Sequence, residues 1–262
     1  MSGSSWLRCA AMSSRFSFEV VDAIDYDELR PSYAPEAIAW VAERGSLRHG
    51  STVVDLGAGT GQLSRRFAEL GVDLVAVEPA TNMRAVLEER LPLVRVVDGT
   101  AEAIPLEDRS VDAVTVGNAF HHFERRAAFE EIRRVLRPGG ALALLWAWPL
   151  EEEQLPIPGM REIDEVVEAT RASNEIATAY RSWKEPPPDA KGFGPFERRE
   201  FPLTHVVPSA RLPDLYATSS DVASLPDTVR KDLLGRIRRL SHGLPDTLHL
   251  PARSVVDLCV RR

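Results

Sequence analysis

Val53-Val54-Asp55-Leu56-Gly57-Ala58-Gly59-Thr60-Gly61 is the stretch on which the reading of this chain turns. Two β-branched residues, an acid and three glycines at alternate positions predict a buried strand ending in a tight turn, with a helix over Gln62 to Leu70 directly behind it. Glycine accepts positive φ and, lacking a Cβ, lets a ligand come close to the backbone. The start of the following helix adds N–H groups that have no partner inside the helix. The combination predicts a turn that holds a cofactor.

Spacing separates the cofactor classes. A dinucleotide turn places its last glycine where this chain has Gln62, so that helix and strand can pack beneath a pyrophosphate. Here the third glycine comes one residue early, and Asp55 stands two positions before the first, where its charge disfavours a pyrophosphate. A carboxylate at that place suits a cationic ligand. S-adenosylmethionine carries an ammonium and a sulfonium; the carboxylate binds the first directly or through water, and loop amides take the ligand's own carboxylate.

Asp55 to Gly61 resembles motif I of the class I S-adenosylmethionine-dependent methyltransferases, and further matches extend the resemblance over residues 26 to 148. It implies an α/β, Rossmann-like, doubly wound sheet of seven strands, mostly parallel with an antiparallel C-terminal strand. Glu78 follows Asp55 by 23 residues, at the end of a second strand over Val72 to Val77, where a strand-helix-strand unit places the acid that accepts from the ribose hydroxyls. Pro79 follows it, and a helix carries Met83, Val86 and Leu87. A third strand over Leu93 to Val97 leads into Asp98 to Leu106, which is similar to the family's adenine loop, with Thr100 and the backbone around Ala101 toward the base and Glu102 beside them. Many members have an acid where Thr100 stands. A fourth strand over Ser110 to Asn118 puts Asn118, Ala119, Phe120, His121, His122 and Phe123 beyond its carboxyl end, where doubly wound sheets bind ligands. Leu136-Arg137-Pro138-Gly139-Gly140, after a helix from Glu124, is a second hallmark and is expected to stop that helix and turn into a fifth strand over Ala141 to Trp148.

Upstream, Tyr26-Asp27-Glu28-Leu29-Arg30-Pro31-Ser32-Tyr33-Ala34-Pro35 resembles the N-terminal segment of the methyltransferase subgroup that includes trans-aconitate and related small-acid methyltransferases. There it folds over the cofactor and shapes the acceptor site, which implies roles for Tyr26 and Arg30. The cofactor-binding set implied is therefore Tyr26, Arg30, Asp55, Gly57, Ala58, Gly59, Gly61, Glu78, Pro79, Met83, Thr100, Ala101, Glu102, Asn118 and Ala119. Methyl transfer from a sulfonium needs alignment more than a nucleophilic triad. A carboxylate acceptor needs no base; for a hydroxyl or amine, His121 is the candidate base. Phe120, Phe123, Trp146 and Trp148 are available as walls of a water-poor pocket, although ordinary core packing accounts for at least half of them. Adjacent histidines lack the spacing of helical metal ligands, so no metal site is expected.

With 262 residues, 44% of them hydrophobic, the chain holds one α/β domain with elaborations. The organisation expected is a flexible tail over 1–15 and one methyltransferase domain over 16–262, with an N-terminal cap over 16–50 and an insertion over 149–196 between the fifth and sixth strands. The insertion carries Glu151-Glu152-Glu153, a helix over Arg161 to Trp183 and Pro186-Pro187-Pro188. A strand over Glu197 to Val207, helices over Pro208 to Ala217 and Asp227 to Leu240, and a closing strand over Ser254 to Val260 complete the domain. A net charge of −7 disfavours nucleic acid and anionic membranes as partners, and the basic side of the helix ending at Leu240 reads as a solvated face. No apolar run reaches the ~18 residues of a membrane span. Two cysteines without framework spacing fit a reducing, cytoplasmic setting. The partner expected is a small-molecule acceptor, its atom a carboxylate oxygen, with a ring carbon, an amine or a tRNA base as alternatives, and a non-catalytic cofactor binder as a further one. The sequence is silent on oligomeric state.

Overall fold

The computed structural model describes residues 18–149, 157, 159–173 and 190–262. The tail over 1–15, the acidic run 151–153, the proline run 186–188, the later part of the helix expected over 161–183 and the Trp148 side chain lie outside the described residues.

Seven strands form one sheet: β1 (Thr52–Leu56), β2 (Asp73–Val77), β3 (Arg95–Val97), β4 (Val111–Gly117), β5 (Leu136–Pro149), β6 (Glu197–Pro208) and β7 (Thr247–Val260). Their order across the sheet is β3-β2-β1-β4-β5-β7-β6. Neighbours from β3 to β5 are parallel, and β7 alone runs against both of its neighbours. This is the doubly wound, mostly parallel seven-stranded sheet expected from the resemblance. Four of the five residues of β1, and five of the seven of β4, are buried, as continuous apolar runs between two helical layers must be.

The helices are α1 (Ala23–Leu29), α2 (Pro35–Arg44), α3 (Gln62–Ala68), α4 (Thr81–Arg90), α5 (Arg125–Val135), α6 (Met160–Ala172), α7 (Leu212–Ala217), α8 (Ser220–Ala223) and α9 (Asp227–Ser241). Two are capped by acids: Asp22 accepts from the Ile24 and Asp25 N–H groups ahead of α1, and Glu124 from Arg126 and Ala127 ahead of α5. In α5, Ala128, Ile132 and Val135 share one apolar stripe on the sheet. A separate apolar cluster joins Met160, Ile163 and Val167 of α6 to Leu212, Val222, Leu233 and Ile237 of α7, α8 and α9 and to Leu248 and Leu250 of β7. The described part of the insertion is thus packed into the C-terminal helices.

Several boundaries differ from expectation. The helix stops at Val135, as expected of Leu136 to Gly140, but β5 begins at once with Leu136 rather than at Ala141, and its pairing with β4 shifts register between Val111 and Ala113. Gly139, at φ 81°, donates to the Arg261 carbonyl, and Arg261 donates back to Gly140, so the irregular stretch stays bonded to the end of the chain. β7 begins seven residues before Ser254. Among the described residues β5 pairs with β7 as far as Pro149 opposite Ala252, and β6 continues the pairing across Pro251 through Thr204. β3 starts at Arg95 because Leu93, 99% exposed, has nothing to pack on.

Candidate active site

β1 delivers the chain into the glycine turn, where Gly57, Gly59 and Gly61 all have positive φ. The three serve different ends. A Cβ on Gly57 would lie 2.9 Å from the Ala119 Cβ, and one on Gly61 would lie 3.0 Å from Leu87, so these two permit close packing. Around Gly59 nothing stands within 4 Å of that position, and its backbone faces open space. The Gly57 and Ala58 N–H groups donate to the Val77 carbonyl at 2.8 and 3.1 Å, which ties the turn to β2.

Two carboxylates flank the turn. Glu78 is buried; its Oε2 accepts from the Gly59 N–H and its Oε1 from the Ala80 N–H, each at 2.8 Å. Burial raises its pKa, and those two hydrogen bonds partly offset the rise. Asp55 is fully buried. Its Oδ2 accepts from Ser64 Oγ at 2.6 Å, while Oδ1 has no hydrogen-bond partner among the described residues. Burial pushes its pKa up to about 7, the Ser64 hydrogen bonds oppose this, and the Glu78 charge adds to it. The Thr60 hydroxyl is likewise buried without a partner among the described residues. An unpaired carboxylate oxygen, an unpaired hydroxyl and an open glycine backbone fit a ligand that carries both an ammonium and a carboxylate.

The other predicted cofactor residues divide into those at the turn and those behind it. Pro79 is exposed beside Glu78, and Ala119 packs against Gly57. Met83 is buried in a cluster with Val21, Ala23 and Ala80, beneath the N-terminal segment. In the loop after β3, Thr100 is exposed and bridges to Ala103, Ala101 is buried, and Glu102 accepts the Glu124 N–H at 2.8 Å, which serves the start of α5.

At the tip of β4, Asn118 has φ 51°; its N–H donates to Leu145 and its Oδ1 accepts from Ala147, both at 2.9 Å, so it is pinned to β5. The next turn, Phe120–His122, presents two histidines. Their rings lie 3.9 Å apart, and His121 is 5.7 Å from the Trp146 ring. Burial first, then the neighbouring ring and Arg30, hold His121 well below the ordinary histidine pKa; burial and Arg30 bring His122 down to about 4. Both are neutral at pH 7. Of the proposed aromatic walls, Phe120 and Trp146 are buried in the main core, and Phe120 packs on Phe123 and Phe129 with centroids 5.8 and 5.3 Å apart.

The N-terminal segment crosses this end of the sheet. Buried Asp27 on α1 receives Arg65 of α3 at 3.1 Å and Arg90 of α4 at 3.4 Å, and its carbonyl accepts from Gln62, the residue next to the last glycine. On the other side Arg211 holds Asp25 at 2.6 Å and Glu28 at 3.5 Å. The Arg30 guanidinium lies 5.4 Å from the Tyr26 ring centroid. Tyr33 is buried, with its hydroxyl against Gly117, and burial raises its pKa further from neutrality. Burial, and after it the Arg30 charge, lowers the pKa of His205 on β6. Sequence reasoning missed Asp27, Thr60, Ser64 and His205 as parts of this site, and quoted Tyr33 and Gln62 without assigning them to it. Asp27 and Tyr33 stood inside a recognised string; nothing local to His205 marks it.

A family model described as "Methyltransferase domain" matches residues 54–144. An uncharacterized methyltransferase of Mycobacterium tuberculosis is 38% identical over 238 residues, 90% of this chain and 91% of that protein. A demethylmenaquinone methyltransferase of Paenarthrobacter aurescens is 37% identical over 105 residues, 40% of this chain and 42% of that one. Among solved structures, one described as a type II methyltransferase from Anaeromyxobacter dehalogenans superposes with a TM-score of 0.59 at 25% identity, over 89% of this chain and 97% of that one. With a relative matched along nine-tenths of both chains, and a glycine turn and flanking acids set at the switch point of the sheet, the chain belongs to the class I S-adenosylmethionine-dependent methyltransferase family.

Proposed function

We propose that the enzyme methylates a small molecule, with a carboxylate oxygen of an organic acid as the acceptor atom. The N-terminal string resembles that of the small-acid methyltransferases, and the chemistry around it supports the same reading. S-adenosylmethionine supplies, when bound, an electrophilic methyl group on a sulfonium. Asp55 and Thr60 would hold its amino-acid end and Glu78 its ribose, with Gly57, Ala58, Gly59 and Gly61 giving close backbone approach. The adenine side falls to Met83, Thr100, Ala101 and Glu102.

The observation that carries the acceptor class is the state of the histidines. At pH 7 His121 is in its base form, but burial, His122 and Arg30 leave it a poor proton acceptor. General base catalysis works best with a pKa near the operating pH. A site with this histidine suits an acceptor that arrives already deprotonated, and Arg30 beside Tyr26 is a cation able to orient it. In this reading His121 donates a hydrogen bond that positions the acceptor; Asn118 and Ala119 set the floor at the tip of β4. A second reading, methylation of a ring carbon, draws on the partial match with demethylmenaquinone methyltransferases. Among the described residues no helix is long and apolar enough to cross a membrane. The net charge of −7 is what argues against nucleic acid or an anionic membrane as a partner. Incubation of the purified protein with methyl-labelled S-adenosylmethionine and a panel of small acids, phenols and quinols tests the proposal. Label in base-labile esters of the acids supports it, and label confined to quinols or phenols overturns it.

A further inference from the structure

β6 runs in the same direction as β4, so its last residues lie at the same end of the sheet as Asn118. His205 stands there with 7% of its surface exposed, and its Nε2 has no hydrogen-bond partner among the described residues. Burial first, then the Arg30 charge, bring the ring's pKa down to about 4, against a hydrogen bond to the Leu29 backbone that raises it. It lines a cleft of about 560 Å³ whose walls include Arg30, Tyr33, Gln62 and Thr204. The cleft therefore reaches from the residue after the glycine turn to the edge of the sheet. A buried nitrogen left unpaired costs stability that an apolar side chain at the same place would not lose.

We propose that His205 and Arg30 form a subsite for a carboxylate of the acceptor that is not itself methylated. The inference rests on the small-acid reading above and adds that the acceptor carries a second acidic group. On binding, one carboxylate oxygen accepts from the Arg30 guanidinium. The other accepts from His205 Nε2, which takes a proton from solvent to do so, and the two positive charges are then shared with one negative charge. Of the remaining charged groups, Asp27 and Glu28 line the cleft together with Arg65 and Arg66; Arg65 and Arg211 pair with the two acids, and Arg66 pairs with Glu69 at 3.7 Å and donates to the Ser32 hydroxyl at 3.2 Å, so each of these charges already has a counterpart before an anion enters. Burial raises the Tyr33 phenol's pKa further, so this side chain adds no charge at pH 7.

The test uses the full chain loaded with S-adenosylhomocysteine, with glutarate as the probe and inorganic phosphate as the competing anion. Histidine-ring NMR should show a saturable shift of the His205 nitrogens on adding glutarate. Calorimetry at pH 7 in buffers of different ionisation heat should show uptake of close to one proton. His205→Gln and His205→Phe should each weaken glutarate at least tenfold and abolish the uptake, with S-adenosylhomocysteine affinity within twofold of the parent. An unperturbed His205 ring, proton uptake that persists in both variants, or phosphate binding more tightly than glutarate would overturn the proposal. Titrating the protein without S-adenosylhomocysteine keeps the readout independent: glutarate bound there, in a chain that shows no methyl transfer to acids, would sink the small-acid reading and leave the subsite standing.

Discussion

Glu78 accepts the Gly59 N–H at 2.8 Å, so the carboxylate that closes β2 also fixes the turn that closes β1. The two strands are neighbours, with Leu56 opposite Val77, and the acid is placed by the sheet as much as by its own rotamer. Glu78→Gln should weaken S-adenosylmethionine by roughly 1–3 kcal/mol, the scale of lost charge-assisted hydrogen bonds. Titration calorimetry reads this, and parental affinity in the variant would remove Glu78 from the site.

Asp55 gives the donor site a pH dependence of definite sign. Its carboxyl is raised from 3.8 to about 7 by burial, so it is largely protonated at pH 6, and a cationic ligand favours the ionised form. Affinity for S-adenosylmethionine should rise roughly tenfold from pH 6 to pH 8, with proton release on binding in that interval. Folding stability runs the other way. A folded pKa above the unfolded one stabilises fully below the unfolded pKa, and that contribution is lost as pH rises through about 7. Asp55→Asn should flatten both profiles.

Gly57→Ala and Gly59→Ala separate packing from ligand approach. Both positions have positive φ and cost ~1 kcal/mol or more in strain. Only at Gly57 does the new Cβ meet Ala119, so thermal melting should fall further there. Gly59→Ala should melt close to the parent less that strain and lose at least tenfold in donor affinity. Equal melting losses in the two variants would contradict the division.

Asp27→Ala removes the acid that holds α1 to Arg65 and Arg90. Both arginines are about 40% exposed and can rehydrate, so the loss should be modest, about 1–2 kcal/mol in urea denaturation. Faster proteolysis of the segment before Pro35 should accompany it. An unchanged cleavage pattern would show that Asp27 does not anchor the segment.

The histidines predict what the rate profile omits. With acceptor and donor both saturating, kcat on an acid should show no limb from His121 or His122 between pH 6 and 8, because His122 titrates near 4 and His121 is also held well below its ordinary value. His121→Gln should then cost less on an acid than on a phenol. A limb near 6.5 that vanishes in this variant would restore His121 as a general base.

The sheet was legible because its signals are local: apolar runs, glycine turns and acids at strand ends. What escaped depended on contacts distant in the chain. The Ala34 N–H donates to Ser254 Oγ across 220 residues, Asp27 meets Arg65 across 38, and His205 acquires its setting only when β6 carries it to α1. Leu136 to Gly140 was rightly recognised as the end of the helix, but the strand begins at Leu136 rather than Ala141, because the bonds of Gly139 and Gly140 to Arg261 tie the turn into the sheet.

Because α1 is clamped to the donor half through Asp27 and to the C-terminal helices through Arg211, neither half can be altered in isolation. Directed evolution toward a new acceptor should meet a trade-off at this seven-residue helix, where changes that widen the substrate range also loosen the grip on the methyl source. Variants that escape it should carry compensating substitutions on α3 or α7.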